Sequence, residues 1–319
     1  MRFKSIFGYR RAVMAAAILL VLVYHIKGAL PECALKKAAG YFYVGVDLFF
    51  LASGIGCYFS YRNDRDPVAF LGRRAARILP VYLPFIAVWL TQQALGEGLT
   101  LPAALANLAG VQGFLRVQPR FNWYVSGMWL SYLLTPWLAP LAARCRTRRA
   151  ALAALLGLLL LTAAFWGDEE FIILVTRLPI FFVGMLLAAG SERREGLTRA
   201  ELAVLLALVP LGAALLWESP RFFEDVLWSH GVAWYPMLLV APGLYLLIAA
   251  AGEGLSRFRA GRAVNRAAAW LGGLTFEIYL VHFWALELPP LLFLPLTALF
   301  TAALRDASVL VRRLWTKKS

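Results

Sequence analysis

The chain alternates long apolar stretches with short clusters of arginine and lysine. A helix rises about 1.5 Å per residue, so about 20 mostly apolar residues cross the hydrocarbon core of a bilayer. Ten stretches approach that length: residues 12–30, 41–60, 78–95, 122–141, 150–166, 171–190, 200–217, 232–251, 267–286 and 288–304. They predict an all-α integral membrane protein, a bundle of about ten transmembrane helices. Little more than Leu288 to Pro290 separates the last two, so a tight turn or a re-entrant pair is expected there. The longest connection, Gly96 to Phe121, carries the apolar stretch LPAALANLAG and reads as a partly embedded helix. No connection is long enough for a further domain, so residues 1–319 read as one polytopic domain. The run SGIG, Ser53 to Gly56, suits close helix packing.

The basic residues orient the bundle. With the N-terminus inside and the stretches alternating, the inner groups are Arg2 to Arg11, Arg62 to Arg77, Arg144 to Arg149, Arg193 to Arg199, Arg257 to Arg266 and Arg305 to Lys318. They hold 25 of the 32 Lys and Arg, which predicts both termini in the cytoplasm. That bias accounts for the net charge of +14 without a nucleic-acid partner. Composition agrees, at 61% hydrophobic and 16% charged, against roughly half and a quarter for soluble chains. Cys33, Cys57 and Cys145 are far apart and carry neither a disulfide framework nor a metal-ligand spacing, so no metal is expected.

Ionisable residues inside apolar stretches mark functional sites by default, because a charge at mid-bilayer costs about 2.5–3.5 kcal/mol or more. His25 lies about 21 Å above Arg11 and so falls in the outer half. Asp47, in YVGVDLFFLASG, enters from outside to a depth of about 10 Å. The two are expected to meet if their helices are neighbours, with Asp47 holding the tautomer of a histidine base. An alternative is that Asp47 pairs with Arg177, in the outer third of the sixth stretch. Glu277 lies near mid-membrane and His282 one to two turns further out. His230, in DVLWSHG, reads as a surface histidine. In RRAARILP, Arg73 and Arg77 are four apart and share a helix face, beside Arg74, as a guanidinium pair suited to phosphates or to lipid headgroups. Ser53 is turned about 240° from Asp47 and lies about 9 Å deeper, which suits packing or a hydrogen bond better than nucleophilic attack.

Several motifs in order carry a resemblance. AAAILLVLVYH, GVDLFFLASGIGCYFS, FLGRRAARILPVYLP, NWYVSGMWLSYLLTPWL, TRLPIFFVGMLL and TFEIYLVH resemble the membrane acyltransferase 3 family over nearly the whole chain. The resemblance implies a multi-pass protein of the bacterial cell membrane. Its activity would be transfer of an acyl group, usually acetyl, from cytoplasmic acyl-CoA to a hydroxyl of a surface or exported carbohydrate or lipid-linked glycan. It further implies His25 as catalytic, Arg73 and Arg77 as the CoA-linked RxxxR pair, and Asp47, Ser53 and Gly54 as the second-helix stretch. Arg177, Glu277, Tyr279 and His282 match further motifs. Many members carry an arginine 11 residues before the histidine, where this chain has Met14. Arg11, about 40° off that face, is the expected substitute, with Arg177 the other. The residues also fit a transporter or flippase without transferase chemistry, though no inverted repeat is visible. An inactive sensor or assembly partner would fit Met14. Membrane lipids surround any of these, and a homodimer remains open.

Overall fold

A computed structural model describes every residue except 97, 117–122, 166–167, 219–233, 287–288 and 317–319. Among the described residues the secondary structure is helical, apart from one isolated bridge between Arg2 and Gly196. The helices are α1 (Phe3–Gly8), α2 (Arg10–Ile26), α3 (Ala34–Ala39), α4 (Val44–Asn63), α5 (Pro67–Leu95), α6 (Leu101–Leu108), α7 (Trp123–Arg144) and α8 (Arg148–Ala163). They continue as α9 (Glu169–Val175), α10 (Leu178–Ser191), α11 (Arg199–Glu218), α12 (Met237–Leu255), α13 (Arg259–Leu271), α14 (Thr275–Leu286) and α15 (Pro290–Thr316).

Local chemistry sets many of the boundaries. Asp66 caps α5 by accepting from the Val68 N–H, with Pro67 at the first helical position. Thr147 caps α8 and Asp168 caps α9 in the same way. A helix stands in each of the ten predicted stretches. Among the described residues seven spans have the length and apolarity to cross a membrane, and α13 with α14 makes an eighth if counted as one broken span. The count of about ten is therefore not reached on that criterion: α8 has only 16 residues, and α7 is not among the seven. The apolar stretch over 267–286 is not one continuous helix but is bent by 70° between α13 and α14. The break falls at Gly272–Gly273, where a Cβ on Gly272 would stand 1.9 Å from the Arg11 carbonyl oxygen. The turn expected at Leu288 lies partly outside the described residues. α6 occupies the predicted embedded segment.

α4 is the central helix. Of its apolar window 78% is buried, against 11% for α11 on the periphery. It packs against α2, α7, α10 and α12. Against α10 the backbones nearly touch: a Cβ on Gly54 would lie 1.9 Å from the Phe181 carbonyl oxygen, and one on Gly184 2.2 Å from that of Leu51. The outer faces of α8, α11 and α15 expose Leu152, Leu156, Leu160, Val204, Leu211, Leu294 and Leu299, a band that lipid accommodates and water does not.

The basic groups converge on one end of the bundle. Ser5 donates to Glu253, Arg62 and Tyr58 meet Glu192, Arg193 donates to the Ala143 and Cys145 carbonyls, and Arg148 pairs with Glu201. The N-terminal strand-like residue Arg2 bridges to Gly196 on the same end. Arg116 pairs with Asp168 between two connections that the alternation assigns to the opposite end.

Candidate functional site

At the basic end, α2, α4, α5, α7 and α14 enclose a cavity of about 120 Å³, or about 820 Å³ with its open mouth. Helical spacing builds its walls. α2 contributes Arg10 and Met14, and α4 contributes Phe49, Ser53 and Cys57, each four residues apart and so on one face. α5 adds Arg74 and Arg77, α7 adds Tyr124, α14 adds Glu277 and Tyr279, and α15 adds Arg312. The Nε atoms of Arg10 and Arg74 are buried without a hydrogen-bond partner. A buried, unpaired guanidinium N–H is costly, and an anion relieves that cost through charge-assisted bonds. Larger grooves of about 480 to 620 Å³ exist, but none is lined by a candidate catalytic or binding residue.

Two of the expected arginines are displaced by one residue each. Arg73 does not line the cavity. It bonds Asp64 at 2.6 Å and the Ser60 carbonyl at 3.3 Å, and holds the Asp64 carboxyl below its ordinary range. Arg74 faces the cavity with Arg77 in its place. Arg11 is exposed, and it is Arg10, one turn below Met14, that lines the cavity. Met14 itself faces the cavity, so the position is where an arginine would reach the interior. Ser53 also lines the cavity, and Gly54 faces α10 instead.

Tyr279 joins this cavity to a pair of histidines. It lines the cavity, and its ring lies 4.5 Å from that of Tyr124, tilted by 47°, and 5.4 Å from the ring of His282. Its carbonyl oxygen is 2.5 Å from His282 Nδ1. A carbonyl only accepts, so Nδ1 carries the proton and Nε2 keeps a lone pair. That Nε2 is buried and has no partner. The His25 ring lies 4.8 Å away, centroid to centroid, tilted by 54°, with Phe283 edge-on at 5.4 Å.

Asp47 is paired with Arg177, and no contact joins it to His25 among the described residues. Its carboxylate faces Arg177, Oδ1 to Nε 3.3 Å, an ion pair in distance though not aligned as a hydrogen bond. Both side chains are enclosed, at 2% and 0% exposure. The Arg177 guanidinium lies 3.3 Å over the Trp234 ring and 5.6 Å from that of Trp123, and donates to the Thr176 hydroxyl at 2.9 Å. Arg177 is thus paired with Asp47, and it does not line the cavity that Met14 faces. The residues missed from sequence are Arg10, Arg312, Tyr124 and Trp234. Spacing signals existed for the first, since Arg10 and Met14 are four apart. His230 lies outside the described residues. Among the described residues no three of His, Cys, Asp and Glu stand close enough to hold a metal.

A family model described as an acyltransferase domain, of the type 3 class, matches residues 14–311. Its match begins at Met14, so Arg10 and Arg11 precede it. No curated protein and no solved structure matches the chain.

Proposed function

We propose a function from one premise: the chain belongs to the acyltransferase family whose model spans it. The proposed activity is transfer of an acyl group from acyl-CoA, with acetyl-CoA the expected donor, to a hydroxyl of an exported or surface carbohydrate or lipid-linked glycan. The proposed setting is a bacterial cell membrane, crossed about ten times with both termini inside. One observation carries the reading: Tyr279, on the wall of an arginine-lined cavity at the basic end, also packs against one of two facing histidines higher in the bundle. The positive-inside rule makes the basic end cytoplasmic, where acyl-CoA is found.

The cavity's enclosed volume suits a thin chain. Binding sites for compact ligands run about 300–1,000 Å³, against about 120 Å³ enclosed here. In this reading the nucleotide and its phosphates stay at the mouth on Arg10, Arg74 and Arg77. The pantetheine arm threads upward past Tyr124 and Tyr279. Fifteen residues separate Arg10 from His25, a climb of about 22 Å. The acceptor enters from the opposite end. His25 takes the hydroxyl proton as the hydroxyl oxygen bonds to the thioester carbonyl carbon. The C–S bond then breaks, and the thiolate leaves with that proton as the free thiol. Charge separation supports these assignments: the cations sit where phosphates would be, and the neutral bases sit where a proton must move.

The test uses inside-out vesicles carrying the wild-type protein or His25→Ala, given acetyl-CoA labelled in the acetyl group. Label passing into alkali-labile ester, with CoA release that depends on His25, is the expected result. Folded protein with neither ester nor CoA release, in the presence of cell-envelope acceptors, would overturn the assignment in favour of a transporter or partner.

A further inference from the structure

His25 lacks the carboxylate that a histidine base commonly leans on. Asp47 is committed to Arg177, and Glu277 lines the cavity about one and a half turns below His282. The rings around His25 other than His282 are those of Tyr24 and Phe283, each roughly edge-on, and His25 makes no hydrogen bond among the described residues. Beside it stands one unpartnered buried acceptor, His282 Nε2. That acceptor is fixed in kind, because the Tyr279 carbonyl holds the only ring proton on Nδ1. It is fixed in place as well, since His282 is wholly buried on α14. A centroid separation of 4.8 Å is within reach of an N–H···N bond of about 3 Å once a nitrogen of each ring faces the other.

We propose that His282 is a positioning residue whose Nε2 accepts the ring N–H of His25. The Tyr279 carbonyl, His282 and His25 then form a chain of oriented hydrogen bonds. It holds His25 in the one tautomer whose remaining nitrogen is free to take the acceptor's proton. The chain does the work expected of Asp47 while placing no net charge in the hydrocarbon, where an unpaired carboxylate is far costlier than a neutral imidazole. The proton that His25 gains in the transfer step comes from the acceptor hydroxyl and leaves with the CoA thiol, so His282 is unchanged over the cycle. The proposal rests on the reading of His25 as the base.

The chain has three histidines, which makes a direct test practicable. Nitrogen-15 solid-state NMR of histidine-labelled protein in bilayers, with His230→Asn to simplify assignment, reports each tautomer without any substrate. Wild-type protein should show His282 protonated at Nδ1 and His25 in a single tautomer with a hydrogen-bonded N–H. His282→Ala should give His25 as a mixture of tautomers, and His282→Gln, whose amide oxygen can accept, should restore the single form. In the vesicle assay His282→Ala should lower kcat about 100-fold or more with the KM for acetyl-CoA changed only a few-fold, and His282→Gln should recover at least about tenfold. A His25 spectrum unaltered by His282→Ala overturns the proposal, whatever the activity. His282→Gln as inactive as His282→Ala, although folded, also overturns it and makes His282 itself the base. Absence of transfer in wild-type vesicles alongside the expected spectra would instead sink the acyltransfer reading and leave the pairing standing.

Discussion

The sharpest prediction concerns which arginines hold the donor, because the geometry reverses the order that spacing alone suggests. Arg73 is 40% exposed in its side chain and already bonded to Asp64 and to a backbone carbonyl. A phosphate would have to displace those partners in water, where an exposed ion pair adds little, so Arg73→Ala should raise the KM for acetyl-CoA a few-fold at most. Arg10 and Arg74 each carry a buried Nε with no partner beside the cavity. A hydrogen bond to a charged group is worth about 1.5–3 kcal/mol, which is about 10- to 150-fold in affinity. Arg10→Ala and Arg74→Ala should each raise the KM, and weaken equilibrium binding of labelled CoA to purified protein, within that range. Met14 lies on the same face one turn above Arg10, about 6 Å along α2. Adding Met14→Arg to Arg10→Ala should therefore win back at least tenfold, whereas Arg11→Ala should be silent. The reasoning fails if Arg73→Ala weakens CoA binding more than Arg74→Ala, or if Met14→Arg leaves the Arg10→Ala defect untouched.

Two further predictions test the frame around the site. Asp47→Ala leaves the enclosed Arg177 without its counter-charge, a loss of about 3–5 kcal/mol. It should lower the melting midpoint in detergent, and the apolar pair Asp47→Leu with Arg177→Met should recover most of it; a single variant that melts like wild type refutes the ion-pair role. At Gly54 a Cβ would stand 1.9 Å from the Phe181 carbonyl oxygen, where ordinary contact begins at 3.4 Å, so α4 and α10 must part by about 1.5 Å. Overpacking of that kind costs about 1–3 kcal/mol or more. Gly54→Ala should reduce the monodisperse fraction on gel filtration, while Gly72→Ala, with nothing within 4 Å, should not.

Depth was legible in the sequence, and azimuth was not. Runs of apolar residues between arginine clusters say where a helix enters and leaves, and so how far up it each polar residue lies. On that basis His25 falls in the outer half and His282 one to two turns beyond mid-membrane, and the two rings do meet. Which way a side chain points depends on the neighbours, and successive residues on a helix differ by about 100°. The i, i+4 spacing of Arg73 and Arg77 is as good on paper as the i, i+3 spacing of Arg74 and Arg77, and only the packing of α5 against α14 and α15 selects the second. The same rotation separates Arg11 from Arg10. Asp47 presented a different difficulty, since His25 and Arg177 both lay near its depth. Electrostatics decides between them: in a medium of low dielectric a carboxylate gains more from a guanidinium, which stays charged, than from an imidazole that is neutral near pH 7. Arg177 is paired with Asp47 and stands off the cavity that Met14 lines, and in the proposed mechanism His25 takes its partner from another helix. The Gly272–Gly273 break supplies that partner. By turning α14 through 70° it brings Tyr279 to the cavity wall and His282 beside His25. A straight helix over 267–286 would carry the same residues to other heights above Arg266 and along another axis, so the glycine pair, which carries no side chain of its own into the site, sets where Tyr279 and His282 stand.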